Sequence, residues 1–106
     1  MKKEDFCNQS QSDALRKLGY NWSLDNGLIP LYEAMKFLYK VKGYDIDTFR
    51  CFTSSNNSEN GYTYSILFPN KTFFIRSEKL GCIQTREDAS RQAITKVLLH
   101  IHGCKV

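Results

Sequence analysis

The residues best suited to chemistry lie near the end of the chain. His100-Ile101-His102-Gly103-Cys104 sets two imidazoles and a thiol close together, the side-chain types that hold zinc. Residues i and i+2 of a helix point about 200° apart, so the two histidines do not share an ion easily. The tract is therefore read as a helix end, where a cationic histidine also suits the dipole. Cys51 or Cys82 paired with His100 would make a nucleophile and its base, but that chemistry needs a third group to orient the base, and no local sequence marks one. Asp45 and Asp47 alternate with Tyr44 and Ile46, so their carboxylates face one way on a strand. Such a pair can bind a cation or raise a pKa, and it can equally guard a sheet edge against pairing. Lys36, Lys40 and Lys42 are the one dense basic cluster. With Arg76 and Arg91 they are the candidate nucleic-acid contacts, and they predict salt-dependent retention of DNA or RNA. Phosphate-binding glycine loops, dinucleotide fingerprints and nucleophile elbows are absent from the sequence, so the chain is read as not an enzyme, with no metal and no cofactor.

These residues must be positioned by something, and the bulk numbers say it is one domain. A chain of 106 residues with 42% hydrophobic and 25% charged residues has ordinary globular composition and can bury a core without metal or disulfide staples. Six Tyr, seven Phe and one Trp favour a packed sheet. The formal charge of +4 comes from basic residues spread among acids, which accounts for solubility before it requires a nucleic-acid partner. The opening M-K-K-E-D-F has no apolar stretch, so no signal peptide is expected, and no apolar run reaches the roughly 20 residues of a membrane span. A cytoplasmic product follows, with its four cysteines (Cys7, Cys51, Cys82, Cys104) reduced.

Along the chain, residues 1–9 are polar and read as flexible, with Phe6 and Cys7 as anchors. Ser10-Gln-Ser-Asp13 looks like a capping box opening a short helix that Gly19 stops. Pro30 and Gly43 bracket a second helix whose apolar stripe is Leu31, Ala34, Met35, Leu38 and Val41 or Lys42. The period then becomes two. Residues 44–53 read as a strand whose alternation slips, which a bulge or cover on both faces would explain. Residues 54–61 form a polar hairpin loop, 62–68 a clean strand, and 72–77 a third. A two- or four-residue loop between the last two pairs Phe68 with Phe73 and Ile66 with Ile75, whereas a three-residue loop pairs Ile66 with Phe74. The even loop is preferred because it gathers Tyr64, Ile66, Phe68, Phe73 and Ile75 on one face. Gly81 turns a connector whose Leu80 and Ile83 pack beneath the last helix. That helix runs from Thr85, its cap with Asp88, to Gly103, with Ala89, Ala93, Ile94, Val97, Leu98 and Ile101 inward. The expected fold is α+β, in the order α-α-β-β-β-α, with helices on one face of a three-stranded antiparallel sheet. Residues 1–106 make a single domain, and 30–103 its core α-β-β-β-α unit.

The ending T-R-E-D-A-S-R-Q-A-I-T-K-V-L resembles the final helix of the double-stranded-RNA-binding domain, whose element order residues 30–103 share. That family holds phosphates with lysines at the start of this helix. Glu87 and Asp88 stand there in this chain and would repel a phosphate backbone, so the resemblance implies a fold more than an RNA function. D-A-L-R-K-L-G-Y, I-P-L-Y-E-A-M-K-F-L-Y-K-V-K-G-Y-D-I and G-Y-T-Y-S-I, with the same closing helix, also resemble small uncharacterised proteins of Bacteroides-type bacteria, their phages and mobile elements. The resemblance implies such an origin and supplies no active site.

The function expected from the sequence is a non-catalytic cytosolic binding module acting through a protein partner or through self-association. Its interface would be Phe49, Leu67 and Phe74 on the sheet face the helices leave uncovered. The alternative is nucleic-acid binding through the basic residues named above, and no membrane contact is expected.

Overall fold

The computed structural model describes residues 6–21, 28–52, 60–77 and 81–103, and these carry three helices and three strands in the expected order. Helix α1 (Gln9–Lys17) is followed by α2 (Leu31–Lys42), strands β1 (Asp45–Phe52), β2 (Asn60–Leu67) and β3 (Phe73–Ile75), and helix α3 (Arg86–Ile101). The sheet is antiparallel with order β1-β2-β3, so β2 is central and both other strands are edges.

Alternation on β2 explains which way the sheet faces. Tyr64, Ile66 and the following Phe68 are buried on the side that α3 covers. The same side receives Ala89, Ala93, Ile94 and Val97 of α3, all fully buried; the two alanines let the helix approach the strands closely. α2 docks beside α3 over β1, and its Leu31, Ala34 and Leu38 reach the same core. Phe37 of α2 meets Tyr20 edge-on, with ring centroids 5.4 Å apart. Gly43 ends α2 at φ 80°, a left-handed conformation that a residue with a Cβ adopts at a cost.

α1 packs on α3, and a polar set of contacts holds it. Its cap is Asn8, not the Ser10-Asp13 pair expected from the sequence: the Gln11 N–H donates to Asn8 Oδ1 at 2.8 Å and the Asn8 N–H to Gln11 Oε1 at 3.2 Å. Buried Gln11 then donates from Nε2 to the Arg91 carbonyl and to Thr95 Oγ1, both at 2.7 Å. Buried Ser12 accepts the Ile29 N–H at 3.1 Å. The end of the stretch expected to be flexible is also tied in, since the Cys7 N–H donates to the Ile29 carbonyl at 2.7 Å and Phe6 bridges Pro30. Burial pushes the Cys7 thiol up to about 12.

β1 pairs with β2 without interruption from Asp45↔Leu67 to Phe52↔Asn60, so no bulge accounts for its slipping alternation. Ile46 faces the helices, while Phe49, half-buried, and Cys51, buried, face the opposite side, so partial cover on both faces is the explanation. The polar loop read at 54–61 lies almost wholly outside the described residues, as do Leu80 and Cys104.

Cys51 and Cys82 form a disulfide, which corrects the reduced state expected for these two thiols. The geometry that allows it is local. Cys51 pairs with Gly61 on β2, and the connector returns to the other side of β2, where Tyr62 and Ile83 exchange both backbone bonds at 2.7 and 2.8 Å. A Cβ on Gly61 would lie 2.5 Å from Cys82 Cβ and from the Ile83 carbonyl oxygen. The glycine therefore admits the crosslink between β1 and the connector, whose Cα atoms stand 6.1 Å apart.

Candidate functional site

The hairpin joining β2 to β3 decides what the open face of the sheet displays. Pro69 supplies the first central position of a tight turn that the Lys71 N–H closes on the Phe68 carbonyl at 3.0 Å. Lys71 then takes φ 72°, and the Phe68 N–H donates to the Thr72 carbonyl at 2.8 Å. The loop thus holds three residues, Pro69 to Lys71, the form in which a turn is followed by one left-handed residue. It sets the register Leu67↔Phe73, Ile66↔Phe74 and Ser65↔Ile75. The even loop preferred from the sequence is overturned, and every residue of β3 changes face with it.

Phe74, expected on the uncovered face, lies instead toward the helices. Its ring sits 6.1 Å from that of Tyr64, and Lys96 Nζ stands 4.4 Å above it. Phe73 and Ile75, expected in the core, are on the open side, 57% and 54% exposed. Leu67, expected there, is there, half-buried next to Phe73. Phe49 shares that face but lies opposite Thr63, so Thr63 and Ser65 separate it from the Leu67–Phe73–Ile75 group. Asp45 and Asp47, both exposed, occupy the β1 side of the face.

The basic residues do not form one patch. Lys36 and Lys40 are exposed on one side of α2 together with Tyr32 and Tyr39, which are 68% and 58% exposed, whereas Lys42 at the end of the helix is half-buried. Arg76 lies past the end of β3, across the sheet from α2, and donates to the Gly81 carbonyl at 2.6 Å. Arg91 is engaged within the fold: its Nε donates to the Phe6 carbonyl at 2.9 Å and its Nη1 to Asp88 at 2.8 Å. Asp88 N–H donates to Thr85 Oγ1 at 3.1 Å, and the Asp88 carboxylate serves Arg91.

The histidines part company. His100 stacks on Phe68, with ring centroids 4.5 Å apart, and its Nδ1 is 2.7 Å from the Tyr44 hydroxyl. Burial raises the Tyr44 phenol, which keeps its proton and donates it to Nδ1 when the imidazole carries its own on Nε2. His102 is exposed at the helix end. Both Cys51 and Cys82 are committed to each other, so neither meets His100 as a nucleophile. Among the described residues no group of three or more His, Cys, Asp or Glu side chains is placed to hold a metal ion. A shallow groove of about 580 Å³ is lined by Gln11 of α1, Tyr64 of β2 and Gln92, Thr95, Lys96 and Leu99 of α3. Burial raises that tyrosine's pKa while Arg76 pulls it the other way.

The chain matches no protein-family model, no curated protein and no solved structure. No helix among the described residues is long and apolar enough to cross a membrane.

Proposed function

We propose that the chain is a non-catalytic protein-binding module that docks a partner on the β3 side of its open sheet face, through Leu67, Phe73 and Ile75, with Phe49 at the margin. The observation that carries this reading is the exposure of Phe73 and Ile75: two large apolar side chains, side by side on an ordered strand and more than half open to water. Just over half of each side chain is still open to water, so its full burial by a partner's surface would add roughly 1–1.5 kcal/mol. The setting read from the resemblance, a phage or mobile element, fits a small module of this kind. The Cys51–Cys82 disulfide weighs toward a thiol-oxidising compartment and against the cytoplasm expected from the sequence.

Side-chain NMR shifts on a captured complex test the reading. They are expected at Leu67, Phe73 and Ile75, with capture lost in a Phe73→Lys/Ile75→Lys double variant of unchanged melting temperature. Capture by that variant at the wild-type level, or side-chain shifts confined to α2, would end it.

A second reading rests on α2. Tyr32 and Tyr39 interleave with Lys36 and Lys40 on one exposed stripe, an arrangement suited to stacking and phosphate contact on a single strand of nucleic acid. Oligonucleotide binding that weakens with salt and is lost in a Tyr32→Ala/Lys36→Ala variant is its test, and no binding at low salt removes it.

A further inference from the structure

The partner can be specified from the backbone of β3. The bonds from the Phe68 N–H to the Thr72 carbonyl and from the Arg76 N–H to the Tyr64 carbonyl fix residues 72 and 76 as pointing inward to β2. Antiparallel ladders alternate, so Phe74 also points inward, and the N–H and C=O groups of Phe73 and Ile75 point to the outer edge. Among the described residues no strand pairs with that edge. The residues that present free backbone groups are thus the same two that present exposed apolar side chains. Charge adds the second constraint. Lys71, exposed in the hairpin, and Arg76 bracket β3 at its two ends, and Lys96 stands beside it over Phe74. The carboxylates of the open face, Asp45 and Asp47, are on the far strand.

We infer that β3 is a strand-addition site: it takes an extended peptide segment of the partner as a fourth strand, with alternate apolar residues over Phe73 and Ile75 and acidic residues toward Lys71 and Arg76. This rests on the reading of the open face given above. A second copy of the chain is the poorer occupant. Two β3 edges meeting antiparallel about Phe74 would bring Lys71 and Arg76 of one copy against the same residues of the other, and each copy carries +4.

The experiment uses a short synthetic peptide of alternating valine and threonine with glutamates at both ends, titrated into the isotopically labelled full chain. The Phe73 and Ile75 amides, exposed before addition, slow their hydrogen exchange on binding. A peptide with the same centre and lysine ends binds roughly tenfold more weakly. Ile75→Lys abolishes binding. Ile75→Pro does the same without touching a β2–β3 bond, because that N–H points outward. Equal binding of the two peptides, or side-chain shifts at Leu67, Phe73 and Ile75 with no slowing of the two amides, overturns strand addition. The second result leaves face docking intact, so the two readings fail separately. Concentration-dependent sedimentation of the wild type that Ile75→Lys removes also overturns it, since the occupant is then a second copy.

Discussion

Along β1 the open face begins with Asp45 and Asp47, while along β3 the same face carries Phe73 and Ile75. Both strands are edges of one three-stranded sheet, and both pair with β2. Charged residues on an edge strand discourage another chain from joining it, and exposed apolar ones invite it. β1, the longer strand at eight residues and the better template by length, has the guard. β3, at three residues, has none and is limited instead by its shortness. The contrast teaches that edge protection here is allotted strand by strand: the sheet is closed to chains on one side and open to a short segment on the other.

The largest expected effect asks whether the two edges share one fate. Ile66 sits between Ile46 and Phe74 on β2 and is fully buried. Ile66→Ala should cost about 3–4 kcal/mol in chemical denaturation, with β1 and β3 amides losing protection together. Loss at β3 alone would mean that the edges differ in stability as well as in chemistry. Next is the link between them. The Cys51–Cys82 bond ties β1 to the connector after β3 across a sequence separation of 31. Cys51→Ser with Cys82→Ser should destabilise by roughly 3.5 kcal/mol on the loop-closure account. Thiol titration of the unfolded, unreduced wild type should find neither cysteine.

Alkali supplies a middle-sized test that bypasses both edges. Cys7 lies in the helical layer, and its folded pKa is raised above the ordinary value of 9.0 to about 12. Its contribution is fully present below pH 9 and is lost as pH climbs from there to about 12, because only the unfolded thiol ionises in that window. On the order of 1 kcal/mol should be gone at pH 10, and Cys7→Ala should flatten that part of the pH profile. The smallest change in folding energy should produce the clearest change in behaviour. Asp45→Val with Asp47→Val makes β1 resemble β3. Folding stability should move by no more than about 0.5 kcal/mol, whereas sedimentation should show self-association. A variant that stays monomeric to high concentration would show that the two carboxylates are not the guard.

Much of this fold could be read from residue order. Thr85 and Gly103 mark the ends of α3, Pro30 and Gly43 those of α2, and the period-two run at 62–68 marks β2, because each signal is local and each was met by the structure. The site was less legible. Gathering the most apolar residues on one face put Phe73 and Ile75 in the core. Pro69 opposed that choice by favouring the first central position of a turn, but the residue that completes the three-residue loop is Lys71 in a left-handed conformation, where glycine or asparagine would have been the visible cue. The disulfide was hidden for a different reason: Cys51 and Cys82 meet only after the connector returns along β2, a long-range contact that spacing does not encode.

The three-residue hairpin gives this small domain an unusual mode of inheritance. Strand residues ordinarily change a surface by substitution, one side chain at a time. Here the loss or gain of a single codon between Pro69 and Lys71 would rotate β3 by half a turn, withdrawing Phe73 and Ile75 and presenting Phe74, with no strand residue altered. Lineages that differ in the length of this loop would then carry nearly identical strands and bind different partners.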